Sequence, residues 1–127
     1  MKRQLFLTLT LTALVLALGF ACEYGSLQIS TDFQADMLAI GLSLADQNWD
    51  AALEQTQNLH AVWQKKSRLV QLWVNHSDID NCSESLIALR AAVITQDFSA
   101  AMTAYGTCVE NFGHLHHRDA FTLRNIL

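Results

Sequence analysis

The chain has 127 residues, 51% of them hydrophobic and 16% charged, with five glycines, no proline and a formal net charge of −4. That length suits one domain rather than a large multidomain enzyme. Without proline, long helices can run unbroken and a turn-rich sandwich or barrel is disfavoured, while the negative balance excludes a basic field for nucleic acid.

Met1-Lys2-Arg3-Gln4 precedes eighteen uncharged residues, Leu5 to Cys22, and Glu23 follows. The run is apolar all round rather than along one stripe, and its length lies at the lower edge of what crosses a bilayer as a helix. Thr8, Thr10 and Thr12 are tolerated there because their hydroxyls can bond back to helical carbonyls. Lys2 and Arg3 stay on the cytoplasmic side by the positive-inside rule, so the chain after Glu23 is expected to face outward. This reading divides the chain into a signal-anchor helix, residues 1–23, and an extracytoplasmic helical domain, residues 24–127. The chain then meets a single-pass cell membrane through residues 5–22. Two other export readings stand beside it: cleavage before Cys22, favoured by the small Gly19 and Ala21, and lipidation of Cys22 itself. All three place the working domain outside the cytoplasm. Beyond Lys2 and Arg3 there are six basic residues against twelve acidic ones, which disfavours a polybasic membrane-surface role. The one basic cluster, Lys65, Lys66 and Arg68, reads as a solvated helix face.

Period-3.6 patterning then runs almost to the end, broken at three places with capping chemistry. Thr31 with Gln34 reads as a capping box for the first bundle helix, although that helix can also begin earlier, continuous with the anchor. Asn48 is the expected N-cap of the second helix, Ser77 with Asp80 imitates a capping box for the third, and Asp97 caps the fourth. Helices over about 31–47, 49–74, 78–95 and 98–117 follow, with short loops that make neighbours antiparallel. Their apolar stripes are Phe33, Met37, Ile40 and Leu44; Trp49, Ala52, Leu59, Trp63, Val70 and Trp73; Ile79, Cys82, Leu86, Leu89 and Val93; and Phe98, Ala101, Tyr105, Cys108, Phe112 and Leu115. Four such stripes close one core, so the fold class is all-α: an N-terminal transmembrane helix followed by a four-helix, two-hairpin bundle. A weak internal echo relates Asn48-Trp49-Asp50-Ala51-Ala52-Leu53 to Asp97-Phe98-Ser99-Ala100-Ala101-Met102.

Trp73, then Asn75-His76-Ser77-Asp78-Ile79-Asp80, and the closing Phe121-Thr122-Leu123-Arg124-Asn125-Ile126-Leu127 resemble domain of unknown function family 4363. Trp73, His76, Asp78, Ile79, Asp80, Asn125 and Ile126 fit that family's pattern over nearly the whole chain. The resemblance implies a small single-anchor, all-helical protein of spore-forming Gram-positive bacteria. It implies no activity, substrate or cofactor.

Candidate sites come from counting along antiparallel neighbours. Equal steps back from a turn at Gln96-Asp97 bring Cys82 and Cys108 to nearly one level, both on core stripes. A disulfide there would close a loop of about 25 residues and contribute roughly 3 kcal/mol in the chain-entropy model. The alternative is that both are ordinary small buried residues. The same counting brings His76 and His117 to one end of the bundle, with Asp78 and Asp80 starting the third helix there. His114 and His117, three residues apart, share a helix face. His76, Asp80, His114 and His117 therefore form a speculative Zn²⁺ or Ni²⁺ ligand set or a pH sensor. Against this, histidines near helix C-termini and acids near N-termini complement the helix dipole without any ligand. Asp78, Asp80 and Glu84 offer paired carboxylates, but Asp78 and Glu84 read as solvated first-turn acids. No catalytic triad, phosphate loop or nucleophile elbow is present, and no cofactor is expected. If the anchor leads into the bundle, the chain runs outward, back, outward and back. The His76 end, Trp73 and the C-terminal tail then lie near the membrane, and Phe121, Leu123, Ile126 and Leu127 must pack on the bundle, which is the favoured reading, touch lipid or bind a partner. The expected function is contact with a protein partner, without catalysis; the rival is a metal- or pH-responsive sensor, and a third reading is an exported enzyme with an unrecognised carboxylate site.

Overall fold

The computed structural model describes residues 1–72 and 74–126, and the side chains of all of these except residues 23, 26–31 and 116–126. The described residues form four α-helices, α1 (Lys2–Ala45), α2 (Trp49–Val70), α3 (His76–Ile94) and α4 (Phe98–Ile126), and no strand. The apolar segment and the first bundle helix are one unbroken rod. At 1.5 Å per residue, the 44 residues of α1 span about 66 Å. The capping box expected at Thr31 is therefore not a helix start, because nothing interrupts α1 and no orphan amides arise there. In its first turns the threonine hydroxyls do bond back, Thr8 to Gln4 O at 2.8 Å, Thr10 to Phe6 O at 2.9 Å and Thr12 to Thr8 O at 2.8 Å.

Beyond the apolar segment each helix packs on two neighbours, in the cyclic order α1, α2, α3, α4 and back to α1. That is a four-helix bundle of two antiparallel hairpins, with the anchor-like half of α1 standing outside it. The hairpin turns share one construction. After the last helical residue, Gln47 and Gln96 adopt left-handed φ values of 51° and 53°. Asn48 N–H then bonds Ser43 O and Asp97 N–H bonds Ala92 O, both at 2.9 and 3.1 Å respectively, while Gln47 and Gln96 bond Leu44 O and Val93 O. This is a Schellman closure whose final residue also serves as the next N-cap. The Asn48 and Asp97 side chains accept from Ala51 N–H at 3.2 Å and Ala100 N–H at 3.0 Å. The sequence echo thus extends to identical turn geometry.

Helix α3 starts two residues earlier than the pattern suggested. Asn75, rather than Ser77, is the N-cap, its side chain accepting from Ser77 N–H at 3.2 Å. Helix α4 continues nine residues past the expected stop, to Ile126. The four stripes meet in one core, in which Phe33, Met37, Ile40, Leu44, Ala52, Leu59, Trp63, Val70 and the whole α3 stripe are buried. Trp49 and Tyr105 are half-buried against that core, and Phe98, at the first turn of α4 on the bundle's end, is 42% exposed. Trp73, also assigned to a stripe, lies outside the described residues.

One layer ties α1 to the rest. Phe33 stacks on Phe112 of α4, with centroids 4.6 Å apart, and meets Trp63 of α2 edge-on at 5.5 Å; Trp63 meets Phe112 edge-on at 5.0 Å. The buried indole keeps its polar handle satisfied, Trp63 Nε1–H donating to Ser83 Oγ of α3 at 2.8 Å. Four helices therefore converge on a single aromatic level. Gly41, two turns further along α1, lets Tyr105 of α4 approach so closely that a Cβ there would stand 2.5 Å from its hydroxyl oxygen.

Candidate functional site

The paired thiols sit in the interior. Cys82 on α3 and Cys108 on α4 have no exposed surface, and they lie on helices that pack together. Asn111 Nδ2 donates to Asn81 O at 3.0 Å one turn away, fixing the register of the pair. Burial, then the neighbouring Cys108 thiol and the Asp78 carboxylate, push the Cys82 thiol up to about 12. Burial likewise pushes Cys108 up to about 11, opposed by a hydrogen bond with the Ser85 hydroxyl. Both thiols are free in the structure, so the bridge allowed by their spacing is not formed here. Held protonated at neutral pH, such thiols are weak nucleophiles and weak metal ligands. In this form they act as small apolar packing groups.

Asp78 departs from the expectation of a solvated first-turn acid. It is 8% exposed, four residues before Cys82 and so one turn below it on the same face of α3. Asp80 and Glu84 are exposed.

At the histidine end, His76 opens α3 and is exposed, as is His114 on α4. His117 lies outside the residues whose side chains are described, as do Phe121, Leu123, Ile126 and Leu127 of the tail. Among the described residues no three His, Cys, Asp or Glu side chains come together as a metal site requires. Between α3 and α4 runs an open groove of about 400 Å³ lined by Ser85, Ala88, Ala92, Ala100, Thr103 and Ala104. With Thr107 at its edge, it offers alanine methyls and the hydroxyls of Ser85, Thr103 and Thr107, with no charged group.

Three features escaped the sequence reading. Lys66 pairs with Asp32 across α2 and α1 at 3.4 Å and stands 5.8 Å from the Phe33 ring centre, so it is not simply a solvated cation. Large apolar side chains stay outside the bundle: Leu38 and Leu42 on α1, Leu69 and Leu72 at the end of α2, and Ile87 and Ile94 on α3. Charge is also unevenly placed. The end formed by the two hairpin turns carries exposed Asp46, Asp50, Glu54 and Asp97 against Arg90, while toward the other end Lys65, Lys66 and Arg68 stand against Asp32, Asp78 and Asp80.

The segment Lys2–Cys22 is the one stretch among the described residues long and apolar enough to cross a membrane, and none of it is buried against the bundle. Comparison with known proteins adds one finding. The family model described as domain of unknown function (DUF4363) matches residues 24–126, beginning just past that segment. No curated protein and no solved structure matches the chain.

Proposed function

The chain belongs to the DUF4363 family, and from that premise we propose that it is a single-pass, membrane-anchored module whose helical bundle lies outside the cytoplasm and works by contact with another protein. The observation carrying this reading is the continuity of α1. A 21-residue apolar segment, unburied by any part of the bundle, runs without a break into the helix that supplies Phe33, Met37, Ile40 and Leu44 to the core. A helix of about 20 apolar residues matches the hydrocarbon thickness of a bilayer. Lys2 and Arg3 before it orient the bundle outward.

Protein contact is the action best supported because the bundle's surface retains apolar side chains that the fold does not use. Leu38 and Leu42 are one turn apart on α1, 63% and 62% exposed, and α4 beside α1 exposes Met102 and Val109. The thiols are buried, and the described acids and histidines do not assemble into a ligand set.

The test is site-specific photo-crosslinking from position 42 in intact cells, with Leu38 kept. A discrete adduct that disappears with Leu38→Asp, while the variant keeps its membrane level and helicity, supports contact through this face. An adduct unchanged by Leu38→Asp and by substitution at Met102 sinks it.

A further inference from the structure

The base of the bundle stands where a lipid surface would be, and its composition fits one. The register between α1 and α2 is fixed by Lys66 against Asp32 and Trp63 against Phe33. Six residues on from Lys66 is Leu72; six residues back from Asp32 is position 26 on α1. The apolar segment ends at Cys22. Leu72 thus stands about four residues beyond that end, roughly 6 Å along the helix axis. The headgroup layer on each side of the hydrocarbon core is about 5–8 Å thick.

Leu72 is 79% exposed and Leu69, one turn above it, 63% exposed, although the neighbouring Val70 and Val74 are buried. Lys65 and Arg68 are also exposed and make no ion pair among the described residues, while Lys66 offsets Asp32. Their level is about 12–16 Å beyond the apolar segment, close enough for long cationic side chains to reach within a Debye length, about 8–10 Å, of lipid phosphates. The opposite end carries Asp46, Asp50, Glu54 and Asp97. The base is not itself net basic, since Asp32, Asp78 and Asp80 lie at the level of Lys65, Lys66 and Arg68, but it is less acidic than the hairpin-turn end, and that difference turns the base toward an anionic surface and the turns away from it. The overall negative charge of the exported part hides this local arrangement.

We propose that the α2–α3 end is a lipid-contact site, in which Leu69 and Leu72 enter the headgroup layer of an anionic phospholipid leaflet and Lys65 and Arg68 bind its phosphates. The bundle is thereby held upright on the membrane instead of swinging on α1. This rests on the anchor reading above.

The test uses the full chain with Cys22→Ser, reconstituted in vesicles of phosphatidylcholine with phosphatidylglycerol, carrying an environment-sensitive fluorophore at one introduced cysteine. Three positions are compared: Leu11→Cys inside the apolar segment, Gln71→Cys beside Leu72, and Asp97→Cys at the far end. With lipids brominated at the acyl-chain ends, emission at position 11 is expected to be quenched; with lipids brominated near the headgroup, emission at position 71 is expected to be blue-shifted and quenched, and emission at position 97 is expected to be unaffected by either. Replacing phosphatidylglycerol by phosphatidylcholine, or Lys65 and Arg68 by glutamine, is expected to lower the quenching, by about fivefold in contact occupancy per cation. Leu69→Asp with Leu72→Asp abolishes it. Quenching at position 11 with position 71 behaving like position 97 overturns the lipid contact and leaves the anchor standing. Position 11 unquenched overturns both. A blue shift at position 71 without bromine quenching, lost on dilution, means that a second copy covers the leucines, which also overturns the proposal.

Discussion

Phe33 is the first buried residue described on α1 beyond the apolar segment, so removing its ring should loosen the joint between anchor and bundle before anything else. The side chain is 1% exposed, stacked on Phe112 and edge-on to Trp63, with the Lys66 ammonium 5.8 Å from its centre. Truncation of a buried phenylalanine costs about 3–5 kcal/mol. Two aromatic pairs at about 0.5–1.5 kcal/mol each lie within that total and place Phe33→Ala in its upper half. Phe33→Leu, which refills most of the volume but keeps neither pair, should lose about 1–2 kcal/mol. Guanidinium unfolding of the full chain in detergent micelles, followed at 222 nm, reads these values as midpoint shifts at unchanged slope. Because Met37, Ile40 and Leu44 still hold α1 to the bundle, amide exchange should accelerate in residues 24–33 far more than in residues 37–45. A loss under about 1 kcal/mol for Phe33→Ala, or exchange raised uniformly along α1, would refute the three-ring layer as the joint.

Gln47 and Gln96 both occupy left-handed backbone, so Gln47→Gly and Gln96→Gly should each stabilise the bundle by about 0.5–1 kcal/mol, strain relief outweighing glycine's chain entropy; thermal midpoints check this. A methyl at Gly41 meets Tyr105, so Gly41→Ala should destabilise by about 1–2 kcal/mol despite better helix propensity, and a double-mutant cycle with Tyr105→Leu should return most of that loss. The thiols of Cys82 and Cys108 should resist maleimide in the folded chain at pH 7.5 and react fully once it is denatured without reductant. Their raised values mean that the folded state holds these protons more tightly than the unfolded chain does, so stability is flat below pH 9 and falls between pH 9 and 11–12; a Cys82→Ala, Cys108→Ala variant should lose that alkaline slope.

The stripes on α1, α2 and α3 were legible because period-3.6 patterning reports directly which face is covered. The hairpin turns were legible too, since Asn48 and Asp97 each do the one job their side chains favour there. The start of α3 was not: Asn75 and Ser77 are both good caps, and only the backbone shows which one the helix uses. Counting residues from a turn gives height along the bundle axis but not rotation about it. That is why Cys82 and Cys108 could be placed at one level, whereas the Trp63 to Ser83 hydrogen bond and the Lys66 to Asp32 pair went unnoticed. Asp78 was misjudged because its charge argued for solvent, yet it stands one turn below Cys82 and follows that face inward. Summed charge concealed that the acidic excess gathers at the hairpin turns while acids and bases balance at the other end, a pattern that exists only once the helices are folded back on one another.

The account depends most on which side of the membrane the bundle occupies, and one labelling experiment reads that. In intact cells, a membrane-impermeant maleimide is applied to the full chain carrying Cys22→Ser and Asp97→Cys, with Cys82 and Cys108 buried and silent. Labelling at position 97 before lysis is the predicted result, with a Gln4→Cys counterpart, which keeps Lys2 and Arg3, labelled only afterwards. Position 97 protected until the cells are opened, with Gln4→Cys accessible from outside, would contradict it.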